Sequence, residues 1–249
     1  MNIISTIILV LFSLGAIGQQ QEFNYDNTIV HIVNGNINHF RRIVNCPLLE
    51  IKQNEIPTTI LSSVNKHILS RLGPTFFKKL KLPNCYQLRR DLTAELNKVK
   101  PNINIDFCDT SVLYAIQYHF DVEWDMKYYF TILISEDQKI SSKEQLPDIN
   151  IKENAYKFIS LKSAIKKANS DSVYKGKSYN ITLEYADSLN SFVWLIQKGQ
   201  FEGETESEIK TPLIIMDANS GLIIHRYLET SYSGCTKKPP AFPGLKRGK

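Results

Sequence analysis

From Ser111 to Ser135 the chain reads SVLYAIQYHFDVEWDMKYYFTILIS, a stretch dominated by β-branched and aromatic residues. Such residues favour pleated, half-buried strands. Two runs, 111–123 and 127–135, flank Trp124-Asp125-Met126, so they are expected to pair as a hairpin. In the first run Ile116, Tyr118, Phe120 and Val122 alternate with Gln117, His119, Asp121 and Glu123. That alternation implies an antiparallel sheet covered on one side. Tyr128 and Tyr129 are adjacent and must point to opposite faces. Tyr118, Phe120, Trp124, Tyr128 and Tyr129 are therefore candidates for an aromatic platform that takes a peptide or a small apolar ligand, the competing reading being ordinary packing against helices.

On the N-terminal side of this hairpin, Ile60, Leu61, Val64, Ile68 and Leu72 in PTTILSSVNKHILSRLGP recur at helical spacing. A helix is expected from Pro57, with Gly73-Pro74 as its stop. Residues 87–99 can form a second helix with Leu88, Leu92 and Leu96 on one face, and Ile29 to Val33 a first strand. On the C-terminal side, SLKSAIKKA from Ser160 to Ala168 opens with a Ser cap and places Leu161, Ala164, Ile165 and Ala168 on one face. Strands are expected at 178–186, 191–197, 212–217 and 222–228, with turn residues at 187–190 and 218–221. Helix then meander thus occurs twice. The fold class is α+β, with a first helix-plus-hairpin unit at 57–150 and a second unit at 151–232, each a helix on an antiparallel sheet. A segment at 19–56 precedes them and a basic tail at 233–249 follows.

Residues 3–17, IISTIILVLFSLGAI, are apolar, uncharged and shorter than the roughly 20 residues of a membrane span. They read as a signal peptide over residues 1–18, cleaved before Gln19, which leaves no stable transmembrane span and predicts an exported, periplasmic or secreted protein. In an oxidising compartment Cys46, Cys85, Cys108 and Cys235 are an even set compatible with two disulfides in any of three pairings. The formal charge of +5 resides in Lys237, Lys238, Lys246, Arg247 and Lys249, so the body between residues 19 and 235 is neutral. A nucleic-acid groove needs clustered cations, which this body lacks. No cysteine pair or histidine motif has metal-ligand spacing, and no cofactor motif occurs. Glu202, Glu204, Glu206 and Glu208 at alternate positions read as a solvated loop.

Three pieces between Ser160 and Leu228 carry a family resemblance: the helix 161–168, the aromatic strand Phe192-Val193-Trp194-Leu195-Ile196, and the strand-turn-strand from Ile214 to Ile224 built around Asp217-Ala218-Asn219-Ser220-Gly221. This segment resembles a PepSY-type domain. The connection from Gly199 to Lys210 is longer than that compact pattern needs. The resemblance implies a small helix-on-sheet domain of bacterial envelope proteins that binds or restrains a peptidase or peptide and is not an enzyme. The first unit only looks like the broader cystatin-like arrangement. A carrier of small apolar ligands, of cystatin-like or NTF2-like shape, is the alternative, and a thiol hydrolase the third. Asp217 and Gly221 are read as turn architecture: a carboxylate that accepts from the turn backbone and a residue that tolerates positive φ.

Overall fold

The computed structural model describes residues 21–25, 28–32, 34–35, 48–89, 112–142, 145–170, 178–198 and 208–232. The signal peptide, the body of the second expected helix, Cys46, Cys108, Cys235, Glu202, Glu204, Glu206 and the basic tail lie outside them. The chain divides into two compact units between Asn150 and Ile151, and residues 20–33 belong to the second. Both units are helix-on-sheet, so the protein is α+β.

The strands of the second unit begin with β1 (Gln21–Tyr25) and β2 (Thr28–Ile32). The first unit contains β3 (Leu48–Ile51), helix α1 (Thr58–Phe77), β4 (Lys81–Leu88), β5 (Val112–Asp121) and β6 (Lys127–Ser135), with an all-antiparallel sheet in the order β3-β4-β5-β6. The expected hairpin is β5-β6: Tyr118 faces Phe130 and Phe120 faces Tyr128 across the ladder. Helix α1 buries Ile60, Val64, Ile68, Leu72 and Phe76, a stripe that contributes about 1.5–3 kcal/mol per side chain. Phe76 meets Phe120 edge-on at 4.9 Å, and the Tyr118 hydroxyl donates to Asn65 Oδ1 at 3.0 Å.

Gly73 is the stop that the sequence implies: it is non-helical at φ 72° and ψ 166° and breaks the long helix at a kink, after which Pro74 starts one further turn that runs to Phe77. The kink is held by the 146–150 loop: Ile149 N donates to Arg71 O at 2.8 Å, and the Arg71 guanidinium donates to Leu146 O at 2.7 Å. The helix expected from Gln87 begins wrongly, because Gln87 and Leu88 are strand residues of β4. Pro83 disguises that strand in the sequence. The ladder absorbs its missing N–H by a register shift between Lys81 and Asn84.

The outer edge of β6 is closed along most of its length. Lys127 N donates to Asn34 Oδ1 (2.8 Å) and Lys127 O accepts from Gly35 N (3.1 Å), while Tyr129 N donates to Gly35 O (3.2 Å). The Gln145 amide then spans Thr131, accepting from its N–H and donating to its C=O at 3.2 and 2.8 Å. Leu133 O accepts from Ser141 N and Ser135 N donates to Lys139 O, both at 2.9 Å. These contacts take up most of the groups with which this edge could pair another chain.

The second unit completes its sheet with α2 (Leu161–Asn169), β7 (Ser178–Ala186), β8 (Ser191–Lys198), β9 (Glu208–Asp217) and β10 (Ile223–Tyr232). Strand order is β1-β2-β7-β8-β9-β10. From β7 to β10 every pairing is antiparallel, as the turn residues imply. The N-terminal side differs: the expected strand at Ile29 is β2, and it joins β7 in parallel, Ile29 opposite Ser178 and Ile32 opposite Ile181. A parallel pair needs a long crossover, and here the whole first unit lies between the partners, which no local pattern announces. Helix α2 is capped as expected, Ser160 Oγ accepting from Ser163 N at 3.2 Å, and it buries Leu161, Ala164, Ile165 and Ala168 against the sheet. Phe158 packs edge-on to Phe192 at 5.4 Å and to Trp194 at 6.4 Å.

Candidate binding surfaces

The five aromatic residues proposed as a platform are divided by the fold. Tyr118, Phe120 and Tyr128 are 4%, 2% and 0% exposed, so the stripe they were expected to present does not form. The cause is α1, which covers the face that carries them, and the Tyr128 hydroxyl is consumed by a 2.8 Å bond to Gln145 O. Trp124 is half-buried in the hairpin turn at φ 52°, and Tyr129 is half-buried on the opposite face.

That opposite face carries His119 beside Tyr129, ring centroids 5.3 Å apart. His119 is 8% exposed, and its Nδ1 has no hydrogen-bond partner among the described residues. Burial first, then the Lys127 ammonium, push its pKa below the ordinary value; Asp121 opposes this and Lys81 adds to it. Asp121 itself is held low by its 2.6 Å bond from Lys81. A histidine with a depressed folded pKa binds fewer protons than its unfolded counterpart just below about pH 6.5. The first unit should therefore lose stability as pH falls from 7.5 to 5.5. Urea midpoints at the two pH values check this, and His119→Gln should flatten the difference; an unchanged slope in that variant would mean that other groups carry it.

Three groups in the second unit have the outward look of a catalytic set. Lys152 Nζ donates to Ser191 Oγ and to Asp217 Oδ2, both at 2.9 Å, and Ser191 Oγ lies 3.2 Å from the same carboxylate oxygen. A serine nucleophile needs a neighbour able to accept its proton and an open path to substrate. Here the Lys152 side chain is engaged in an ion pair with Asp217, and Ser191 is 0% exposed, with no open path to a substrate. The arrangement is a pin. Asp217 Oδ1 accepts from Asn219 N (3.1 Å), Ser220 N (2.7 Å) and Ser220 Oγ (2.9 Å), while Asn219 Nδ2 donates to Asn154 O and Lys157 O at 2.8 and 3.0 Å. From α2, Lys167 Nζ donates to Gly221 O at 2.9 Å. Gly221 has φ 69°, and a Cβ there would meet Ile159 Cδ1 at 2.7 Å. Burial pushes the Asp217 carboxyl up, but the Ser220 and Lys152 hydrogen bonds outweigh it and hold the group below its ordinary value. The sequence signals Asp217 and Gly221; Lys152, some sixty residues earlier, carries no signal of its role.

Cys85 is a buried free thiol, so the disulfide expected of it is not made. Its ladder partners are Ile51 and Ile116, not cysteines. Burial, then Glu50, raise its pKa to about 11, the opposite of an activated nucleophile. Among the described residues no group of three His, Cys, Asp or Glu side chains is placed to hold a metal ion, and no helix is long and apolar enough to cross a membrane.

A recess of about 500 Å³ runs along α1, and its described lining is Thr58, Leu61, Ser62, Asn65, Lys66, Leu69 and Phe77. These positions recur at helical spacing beside the buried stripe. Leu69 is 39% exposed there, one of three large apolar side chains that face solvent among the described residues. The volume lies in the range of ligand sites, but the recess is open and its apolar residues alternate with hydroxyl, amide and ammonium groups.

The fold and these surfaces define an α+β protein of two helix-and-sheet units. Comparison with protein-family models, with curated proteins and with solved structures finds no match.

Proposed function

We propose that this protein is exported and acts by binding, not catalysis, with a PepSY-like second unit, and that it holds a peptide or restrains a peptidase in the cell envelope. The observation that supports the reading is the open recess on α1, with Leu69 exposed among polar neighbours. An open groove of mixed character suits a polypeptide segment, whose backbone and side chains need both apolar and hydrogen-bonding contacts. An enclosed apolar chamber, which a lipid or hydrophobic cofactor carrier needs, has less room here: the α1–sheet interface is filled by Phe76, Phe120, Tyr118 and Phe130 at ring separations of 4.9 and 5.3 Å.

The test is recovery of partners from the envelope fraction with the tagged full chain, beside a Leu69→Asp variant. A peptidase or peptide recovered by the parent, and reduced about tenfold by the variant, is the expected result, since a desolvated apolar anchor at an interface contributes on the order of 1–2 kcal/mol. Equal recovery by both chains would move the site away from α1, and recovery of nothing by the parent would sink the proposal.

A further inference from the structure

We infer that β10 is a self-association edge: two copies of this chain pair β10 to β10, antiparallel, about a two-fold axis at Tyr227, and join their six-stranded sheets into one. The inference is independent of the α1 recess. β10 is the last strand of its sheet and, among the described residues, pairs only with β9. It is ten residues long and contains neither proline nor lysine; Arg226 is the one exposed charge on it among the residues whose burial is described. The same chain closes most of the edge of β6 with two loops and a glutamine amide, so the contrast lies within one molecule.

Strand lengths supply the second argument. The β8–β9 ladder stops at Gln197 opposite Leu213, whereas β9–β10 continues to Glu208 opposite Tyr232. Residues 208–212 and 228–232 therefore project as a two-stranded ribbon with no third strand among the described residues. Such a ribbon is marginal in water. Antiparallel pairing about Tyr227 places positions 228–231 of one copy beside positions 223–226 of the other and gives each projecting ribbon its third strand.

Charge excludes two of the central registers. Residues directly opposite in a ladder must lie on the same face, so the axis can move only along alternate registers. Centring on Arg226 opposes two guanidinium groups, and centring on position 229 opposes two acidic residues. Centring on Tyr227 sets His225 across from position 229, where the sequence has Glu, and leaves no like charges opposed. The register shift at Ile224 lies outside the five central pairs, 225 to 229. Tyr227 and His225 are both half-buried on one face, with rings 5.7 Å apart, and are available to the partner strand.

Sedimentation velocity of the full chain as its host produces it reads the outcome. The parent should sediment at twice the monomer mass at about 100 µM, a concentration that populates even micromolar complexes. Tyr227→Lys and Tyr227→Glu each place like charges face to face on the axis and should each weaken self-association at least about tenfold, with circular dichroism unchanged. Mixing the two variants should restore the dimer, because position 227 then meets its opposite charge. A monomeric parent would overturn the inference, as would a mixture that stays monomeric; a Tyr227→Lys chain that dimerises like the parent would overturn it too.

Discussion

Asp217→Ala should lower the stability of the second unit by about 3 kcal/mol and bring its thermal transition down ahead of that of the first unit. The side chain accepts three hydrogen bonds inside its own turn, one from Lys152 and one from Ser191 Oγ, and the turn in turn anchors residues 154 and 157 through Asn219. Removing the carboxylate leaves the Asn219 and Ser220 N–H groups without their acceptor and the Lys152 side chain with Ser191 Oγ alone. The turn bonds carry most of the loss, because Lys152 is about a third exposed and water replaces part of what it loses. Asp217→Asn keeps an acceptor for the two N–H groups and should cost only about 1 kcal/mol. The ratio of the two losses, read by chemical denaturation, separates turn architecture from the ion pair; equal losses would mean that the charge, not the turn, holds the loop. A carboxyl with a depressed folded pKa contributes stability above its unfolded value of about 3.9. That contribution is lost as pH falls below this value and through the lower folded pKa, and the Ala variant should lack it.

Phe120→Ala should cost the first unit about 3–5 kcal/mol, the usual range for emptying a large aromatic site in a packed core. Its ring lies 4.9 Å from Phe76 on α1 and 5.3 Å from Tyr128 on β6, and those neighbours are fixed by a helix and a ladder that cannot close over the void. Tyr129→Ala, one residue beyond Tyr128 on the other face and half-exposed, should cost about 1 kcal/mol or less. The pair of measurements is a direct test of which hairpin aromatics are core. If Phe120→Ala stays within about 0.5 kcal/mol of the parent, the residue is a surface group and the packing described above is wrong.

The contrast between Phe120 and Tyr129 also shows where sequence reading reaches its limit. Alternation on 116–123 separates Tyr118 and Phe120 from His119 and Asp121 without any structure. It cannot say that α1 lies on the first set, since the helix and the hairpin are joined by residues whose path the pattern does not encode. The platform reading failed for that reason. Strand β4 was missed because Pro83 argues against a strand unless a register shift is known to excuse it. Helix α2, in contrast, was legible to its cap and its buried face, because a Ser cap and four apolar positions at helical spacing are local facts.

Local chemistry alone therefore determined the β5-β6 hairpin, the apolar stripes of α1 and α2, the meander from β7 to β10 and the turn that needs Asp217 and Gly221. Each depends on residues within about a dozen positions of one another, where backbone preference and side-chain periodicity act directly. Tertiary structure decided the rest: that β2 crosses the chain to lie parallel to β7, that Lys152 reaches Asp217, that Gln145 helps to close β6, and that β10 is left at an edge. Those are pairings between distant residues, stabilised by burial and by satisfying backbone groups that would otherwise be stranded, and such energies exist only once the chain has already brought the partners together.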